Sequence, residues 1–353
     1  MSGLPSAALL AVFLASAAVI WVAGIRLSDT TDVLAERLHL GSALGGLVLL
    51  AIATNLPEIA ITVSAALAGD LEVAVGNLLG GIAVQTVVLV VVDAVGVRTP
   101  RPLTYQAASL VLVLEASLVV TVLLVVVMGT QLPASVFAFR LEPAAVVVAV
   151  AWVVGLLLIN RASRSLPWAD SGDAPDTQPT ERGHSRRTHE ASATAKGVST
   201  GRAAAVFAVA ALATCVCGVT IERSGEQFFG SLGLSGVLFG STVLAAATSL
   251  PELSTGLASA RLGDVQLAVG DIFGGNAFLP VLFLPAGIIA GSAVLPSAGA
   301  ADVYLTALGA LLTVVYLVGL VFRPQRRVLR MGVDSLTVLV LYAVGVVGLV
   351  ALS

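Results

Sequence analysis

Apolar residues along this chain come in runs of about 20, the length a helix needs to cross the hydrocarbon core of a bilayer. The runs fall near 6–25, 43–68, 73–95, 106–128 and 143–160, and again near 202–221, 236–260, 266–291, 301–322 and 335–352. Between these two sets of five, residues 161–200 are polar and rich in Ser, Thr, Pro, Asp and Arg. Such a stretch buries too little apolar surface to fold alone and reads as a loosely ordered linker. The pattern predicts an all-α polytopic membrane protein of ten transmembrane helices, with a five-helix half over 1–160, the linker 161–200 and a second half over 201–353.

The two halves repeat one another. Residues 46–86 and 240–280 align without a gap at a constant offset of 194, with 17 of 41 positions identical. Their centres read Ala53-Thr54-Asn55-Leu56-Pro57-Glu58 and Ala247-Thr248-Ser249-Leu250-Pro251-Glu252. Proline removes a backbone donor and clashes with the preceding turn, so each helix must break or kink there. An ionisable side chain at mid-membrane costs about 3 kcal/mol on insertion scales, so twin glutamates at equivalent points mark an ion pathway.

Five spans per half is an odd number, so homologous halves must enter the membrane in opposite senses. If the first span runs from outside to inside, 16 of the 18 Lys and Arg residues fall on the cytoplasmic side, leaving only Arg140 and Arg223 outside. The positive-inside rule then predicts both termini outside and the linker in the cytoplasm, in a cell membrane. Inverted repeats with interrupted helices and a site near the midplane are the architecture of secondary transporters.

The carbonyls freed upstream of each proline, around Ala51–Thr54 and Ala245–Thr248, need partners, and in a transporter cations can serve. Thr54, Thr248 and Ser249 add hydroxyl oxygens nearby. Two carboxylates among neutral oxygens suit a hard divalent cation such as Ca²⁺, which takes about 6–8 oxygen ligands. Asn77 and Asp271 each stand 19 residues beyond a glutamate, in the glycine-rich stretches Gly76–Gly81 and Gly270–Gly275 that let helices approach closely. They either line the pathway or hydrogen-bond a neighbouring helix. Glu115, opposite Gly309 in the repeat, is either a proton-accepting coupling residue or a carboxyl held by another helix. Asp93, near a helix end, is expected at the interface, and Asp70, Glu72 and Asp264 in solvated connections.

Composition narrows the function. With 58% hydrophobic and 11% charged residues the chain is no ordinary soluble domain, and it has no basic patch interleaved with aromatics for nucleic acid. It lacks His-Glu-x-x-His, which argues against an enzyme, and nothing calls for a resident cofactor. Cys215 and Cys217 point to different helix faces, so neither a disulfide nor a metal clip is expected. His39, His184 and His189 form no ligand cluster. The expected partners are inorganic cations and the lipid bilayer.

At these residues the chain resembles the calcium/cation antiporter superfamily, specifically the membrane repeats of sodium/calcium exchangers, as a divergent member. The family's T-S-L-P-E signature stands as T-N-L-P-E at 54–58, with Asn55 for the usual serine, and as T-S-L-P-E at 248–252. The resemblance implies exchange of Ca²⁺ or a similar divalent ion for Na⁺ or H⁺ by alternating access. It makes Glu58 and Glu252 the central ligands, assisted by Thr54, Thr248 and backbone carbonyls, and has the first span of each half slide past a rigid centre. The family's second signature, G-N/D-x-x-G-S-N followed by Asn or Asp three residues on, is less faithful. Its serines, which help form sodium sites, are Gly81 and Gly275; its asparagine is Ile82 in one copy and Asn276 in the other; its last polar positions are Gln85 and Leu279. The coupling ion is therefore left open between sodium and protons, with Gln85, Asn276 and Glu115 as candidates. The alternative is a proton- or monovalent-cation exchanger on the same fold. A channel fits less well, because rings of like residues from several subunits are the usual selectivity device.

Overall fold

In the computed structural model, which describes residues 4–37, 46–164 and 199–352, the apolar runs are helices. Valine-rich stretches such as 119–127 are modest helix formers in water. In hydrocarbon a helix is the conformation that satisfies every backbone group within its own segment, and that requirement decides. The helices are α1 Ser6–Arg37, α2 Gly46–Thr54, α3 Leu56–Ala68, α4 Leu71–Val91, α5 Leu103–Ala107, α6 Leu110–Thr130, α7 Pro143–Arg164 and α8 Thr200–Ser231. They continue as α9 Phe239–Thr248, α10 Leu250–Leu262, α11 Val265–Phe278, α12 Phe283–Ala290, α13 Ala300–Phe322 and α14 Val333–Leu352. A two-stranded hairpin, β1 Arg327–Val328 and β2 Met331–Gly332, precedes α14.

Eight helical segments among the described residues are long and apolar enough to cross a membrane, and nine if the bent pair α2–α3 is one span. The sequence predicts ten. The shortfall is residues 236–262, which the break at Ser249 divides into α9 and α10, each shorter than a span. The linker lies outside the described residues from 165 to 198, as do His39, His184 and His189. Cys215 and Cys217 are not joined in a disulfide.

The same two residues turn the chain in both copies. Gly69 and Gly263 sit in the left-handed region at φ 75° and 86°, ending α3 and α10. The Asp70 and Asp264 carboxylates that follow accept from Val73 N at 3.3 Å and Leu267 N at 3.1 Å, capping α4 and α11. Glycine tolerates that φ without strain and aspartate satisfies an orphan donor at a helix start, so a Gly-Asp pair serves as stop and start.

The interior is assembled around α4 and α11. Leu78, Leu79 and Ile82 pack with Ile272, Phe273 and Leu279, and with Leu112 of α6 and Leu312 of α13. Outside this core α1 lies along α8, and each also packs on a broken helix, α1 on α10 and α8 on α3. Large apolar side chains such as Val147, Leu157, Val209 and Val347 are exposed on the outer helices, as a lipid-facing surface requires.

Asp93 corrects the sequence reading. It lies at the end of α4, where the backbone winds into a π-turn over Val92–Gly96, yet it is fully buried rather than interfacial. Its carboxylate accepts from Leu103 N (2.9 Å), Gly332 N (2.7 Å) and Ser335 Oγ (2.7 Å). Arg327 Nη2 lies 3.9 Å from Oδ1 and donates to the Asp93 carbonyl at 2.8 Å. The loop before α5 and the hairpin before α14 thus close over one carboxylate. Glu142 does similar work ahead of α7, where the Val294 and Leu295 amides donate to its carboxylate at 2.9 and 3.2 Å. Burial pushes the Glu142 carboxyl up, and these two bonds oppose that rise.

Candidate functional site

Both prolines act as the sequence demands. The first helix bends by 62° between α2 and α3, and Asn55 and Ser249 stand at the breaks with near-identical backbone angles, φ/ψ −86/15° and −79/7°. Just upstream of the breaks, local side chains add second hydrogen bonds to carbonyls such as Ala51 O and Ala245 O, which also accept from Asn55 N and Ser249 N. Asn55 Nδ2 donates to Ala51 O at 2.7 Å, Ser249 Oγ to Ala245 O at 2.7 Å and Thr54 Oγ1 to Leu50 O at 3.1 Å. Thr248 Oγ1 donates to Ala245 O at 3.3 Å. Each of these side chains is held by a bond back into its own helix, which fixes its remaining oxygen lone pairs beside the break.

Three residues past each break the glutamates meet. Glu58 and Glu252 are both 0% exposed, and Gln85 of α4 lies between them, its Nε2 3.4 Å from Oε1 of each. The same nitrogen donates to Asn55 Oδ1 at 3.0 Å. Thr248 of one copy lies against the Glu58 carboxyl of the other, and Thr54 against the carboxyls of Glu252 and Asp271. Thr255 Oγ1 donates to Asp271 Oδ2 at 2.7 Å, and Asn276 Nδ2 to Thr86 Oγ1 at 3.0 Å. Five buried oxygens here have no hydrogen-bond partner among the described residues: Glu58 Oε2, Glu252 Oε2, Asp271 Oδ1, Gln85 Oε1 and Asn276 Oδ1. Buried acceptors left without donors are costly, and a cation is the group that satisfies several at once.

Among the described residues no three acidic, imidazole or thiol side chains stand close enough to hold a metal by themselves. Ligation here therefore requires neutral oxygens beside the carboxylates. Asn77 turns out to brace a helix: its Nδ2 donates to the Glu58 carbonyl at 3.2 Å and to Thr62 Oγ1 at 3.3 Å. Glu115 is buried on α6, which packs along α11 and α13. Thr62, Thr255 and Thr86 were not anticipated. The first two follow the glutamates by four and three residues, on the same helix face, and that spacing was the available signal.

Glycines seat the outer helices against the breaks. An added Cβ at Gly24 of α1 would lie 2.8 Å from Pro251 Cα, and one at Gly218 of α8 would lie 2.9 Å from Pro57 Cα. Gly24 and Gly218 stand at the same offset of 194 as the prolines. Each break is thus covered by a glycine from the opposite half of the chain. Gly24→Ala and Gly218→Ala are expected to lose about 1–3 kcal/mol by overpacking against backbone that cannot rotate away. Thermal unfolding in detergent reads this directly, and unchanged melting in both variants would show that the helices shift without cost.

Comparison with known proteins places this geometry. The family model described as sodium/calcium exchanger protein matches residues 8–161 and 202–351. CaxA of Alkalimonas amylolytica is 28% identical over 274 residues, covering 76% of each chain. The inner membrane protein YrbG of Escherichia coli K12 is 28% identical over 276 residues, covering 75% of each. Among solved structures, the sodium-calcium exchanger NCX_Mj superposes with a TM-score of 0.62 at 15% identity over 97% of this chain and 99% of its own. The H⁺/Ca²⁺ exchanger CAX superposes at 0.65 with 13% identity over 99% of this chain and 82% of its own. At such identities the superpositions establish the fold. The family match runs through nearly all of both halves, broken breaks and paired glutamates included, and this multi-pass membrane protein belongs to the sodium/calcium exchanger family.

Proposed function

We propose that the protein is a secondary active antiporter that carries Ca²⁺, or a similar divalent cation, between Glu58 and Glu252 in exchange for Na⁺ or H⁺. The observation that carries this reading is the set of buried acceptor oxygens without donors, two of them carboxylate oxygens contributed by equivalent breaks. Thr54, Thr248, Ser249, Asn55 and Asp271 stand around that pair as supplementary oxygens, and Asn77 holds the Glu58 turn in place. On this reading residues 1–160 and 201–353 are inverted five-helix halves, with α2–α3 and α9–α10 each one span broken at mid-membrane. The termini face outward and the linker 161–200 lies in the cytoplasm. α1 and α8 are the elements that move, because they meet the breaks through glycine and, beyond their contacts with each other and with the broken helices, face lipid. Exchange follows if the paired carboxylates must be neutralised before the carrier reorients.

Calcium uptake into proteoliposomes under an imposed sodium gradient, with an imposed pH gradient as the matched arm, tests this. Uptake driven by at least one gradient, saturating in calcium, is expected. Sodium drive would place the coupling ion among Gln85, Asn276 and Asp271. Drive by pH alone would point to Glu115 and make the protein a proton-coupled carrier. No uptake in either arm, with exchange of monovalent ions intact, would replace the calcium reading with a monovalent-cation exchanger.

A further inference from the structure

Two of the connections between spanning helices end in the same unusual turn. Ala138 pairs with Leu141 ahead of α7, and Val328 pairs with Met331 ahead of α14, so each connection folds back through two residues. In the first these are Phe139 and Arg140, at φ 52° and 62°; in the second they are Leu329 and Arg330, at φ 52° and 70°. A two-residue turn with both central residues in the left-handed region is ordinarily made by Asn-Gly or Gly-Gly, because a bulky side chain there crowds its own backbone. This chain instead uses a large apolar residue followed by an arginine, in both places.

The apolar residue is also the one that protrudes. Phe139 is 98% exposed and Leu329 76% exposed, although both turns are held firmly at the base. Next to the first turn, the Glu142 carboxylate takes the Val294 and Leu295 amides; next to the second, Asp93 takes Gly332 N. Leu141, which closes the first turn, and Phe322, at the end of α13, are exposed as well. An added Cβ at Gly291, which ends α12, would lie 3.3 Å from Arg140 Nη2, so the first turn stands level with the end of a membrane helix. In bulk water such a turn would combine backbone strain with exposed apolar surface, and nothing would offset either. A turn that joins two spanning helices, however, lies at the surface of the bilayer.

We propose that the two tips are interfacial anchors: Phe139 and Leu329 enter the boundary between acyl chains and lipid headgroups, and Arg140 and Arg330 stay at the level of the phosphates. Apolar residues beside basic ones are the composition of segments that lie in this boundary, about 5–10 Å deep. A guanidinium is matched to phosphate in charge and in geometry. The turns close the α6–α7 and α13–α14 pairs, and α6, α13 and α14 pack on the core helices α4 and α11. Anchoring the turns therefore sets the depth of the core in the membrane. With each broken helix counted as one span, an odd number of spans separates the turns, and they hold the core from opposite faces. That placement rests on the reading of the broken helices proposed above; insertion of each tip depends neither on it nor on the ion carried.

The test reads the depth of each tip. The full-length protein is reconstituted in phosphatidylcholine–phosphatidylglycerol vesicles, carrying Phe139→Trp or Leu329→Trp over Trp21→Phe, Trp152→Phe and Trp168→Phe. Emission is quenched from the lipid side by acyl chains brominated near the headgroup, and from the water by acrylamide present on both sides of the membrane. Each tip is expected to be quenched by the brominated lipid and shielded from acrylamide by about tenfold relative to N-acetyltryptophanamide in the same buffer. If the background without native tryptophans does not fold, a nitroxide on Phe139→Cys or Leu329→Cys, over Cys215→Ala and Cys217→Ala, reads the same depth from its accessibility to oxygen against an aqueous nickel chelate. Either tip as open to acrylamide as the free amide, and untouched by brominated lipid, overturns the inference and leaves the calcium reading standing. Both tips in lipid, in a protein that carries no calcium, sustains the anchors and overturns the calcium reading alone.

Discussion

Glu58→Gln and Glu252→Gln are each expected to reduce calcium uptake by roughly a thousandfold while leaving the protein folded. Glutamine keeps the shape and one acceptor oxygen but removes the charge. At an effective dielectric of about 20 and a separation of about 4 Å, a divalent ion and a carboxylate attract by about 8 kcal/mol, and half of that survives as about a thousandfold in affinity. Both residues are 0% exposed, so screening by water or salt cannot compensate for the loss. Neutral glutamines at these positions remove a buried charge, so unfolding in detergent should occur at or above the wild-type temperature. Calcium uptake by both variants at the wild-type rate would mean that the ion binds elsewhere.

Asp93→Ala is expected to cost about 3–5 kcal/mol, because it strips a buried carboxylate from two amides and a hydroxyl and leaves Arg327 without its acid. The fall in melting temperature would be on the order of 10 °C. Asp93→Asn tests the charge more finely. Its one carbonyl can still receive Leu103 N, but its amide then faces the Gly332 amide, donor against donor, while the Ser335 hydroxyl can turn to accept. It should therefore fall between alanine and wild type. Because Asp93 takes no part in the glutamate cluster, the calcium affinity of the folded fraction should be unchanged. Loss of affinity in step with stability would show that the clasp and the ion site are one cooperative unit.

What could be read in advance was whatever the chain states locally. A proline and a glutamate inside an apolar run, repeated at a fixed offset, marked both breaks and the two buried glutamates beside them. Gly69-Asp70 and Gly263-Asp264 marked the turns between helices. Contacts between distant residues were hidden. Asp93 looked like an interfacial residue because residues 103, 332 and 335, which enclose it, are distant in the chain. Gln85 was noticed as a departure from the family pattern, but nothing local shows that its nitrogen reaches a glutamate from each half. Thr62 and Thr255 could have been found by helical spacing from the glutamates, whereas Thr86 depends on a partner 190 residues away. Ten spans are expected from hydropathy, and among the described residues eight or nine pass by length because a broken helix divides its apolar residues between two short rods.

The exchange of glycines between halves bears on how the protein comes to exist in a membrane. Pro57 is covered by Gly218, a residue made only after the first five apolar runs and the linker have left the ribosome. Until α8 arrives, the first broken helix has an uncovered bend in lipid. The reverse holds for Gly24, which is inserted early and waits for Pro251. Completion of each half therefore depends on the other, and assembly is finished by a late event spanning the whole chain. Two copies of an ancestor carrying one such glycine and one such break would have met the same requirement by pairing, each lending its glycine to the other's break.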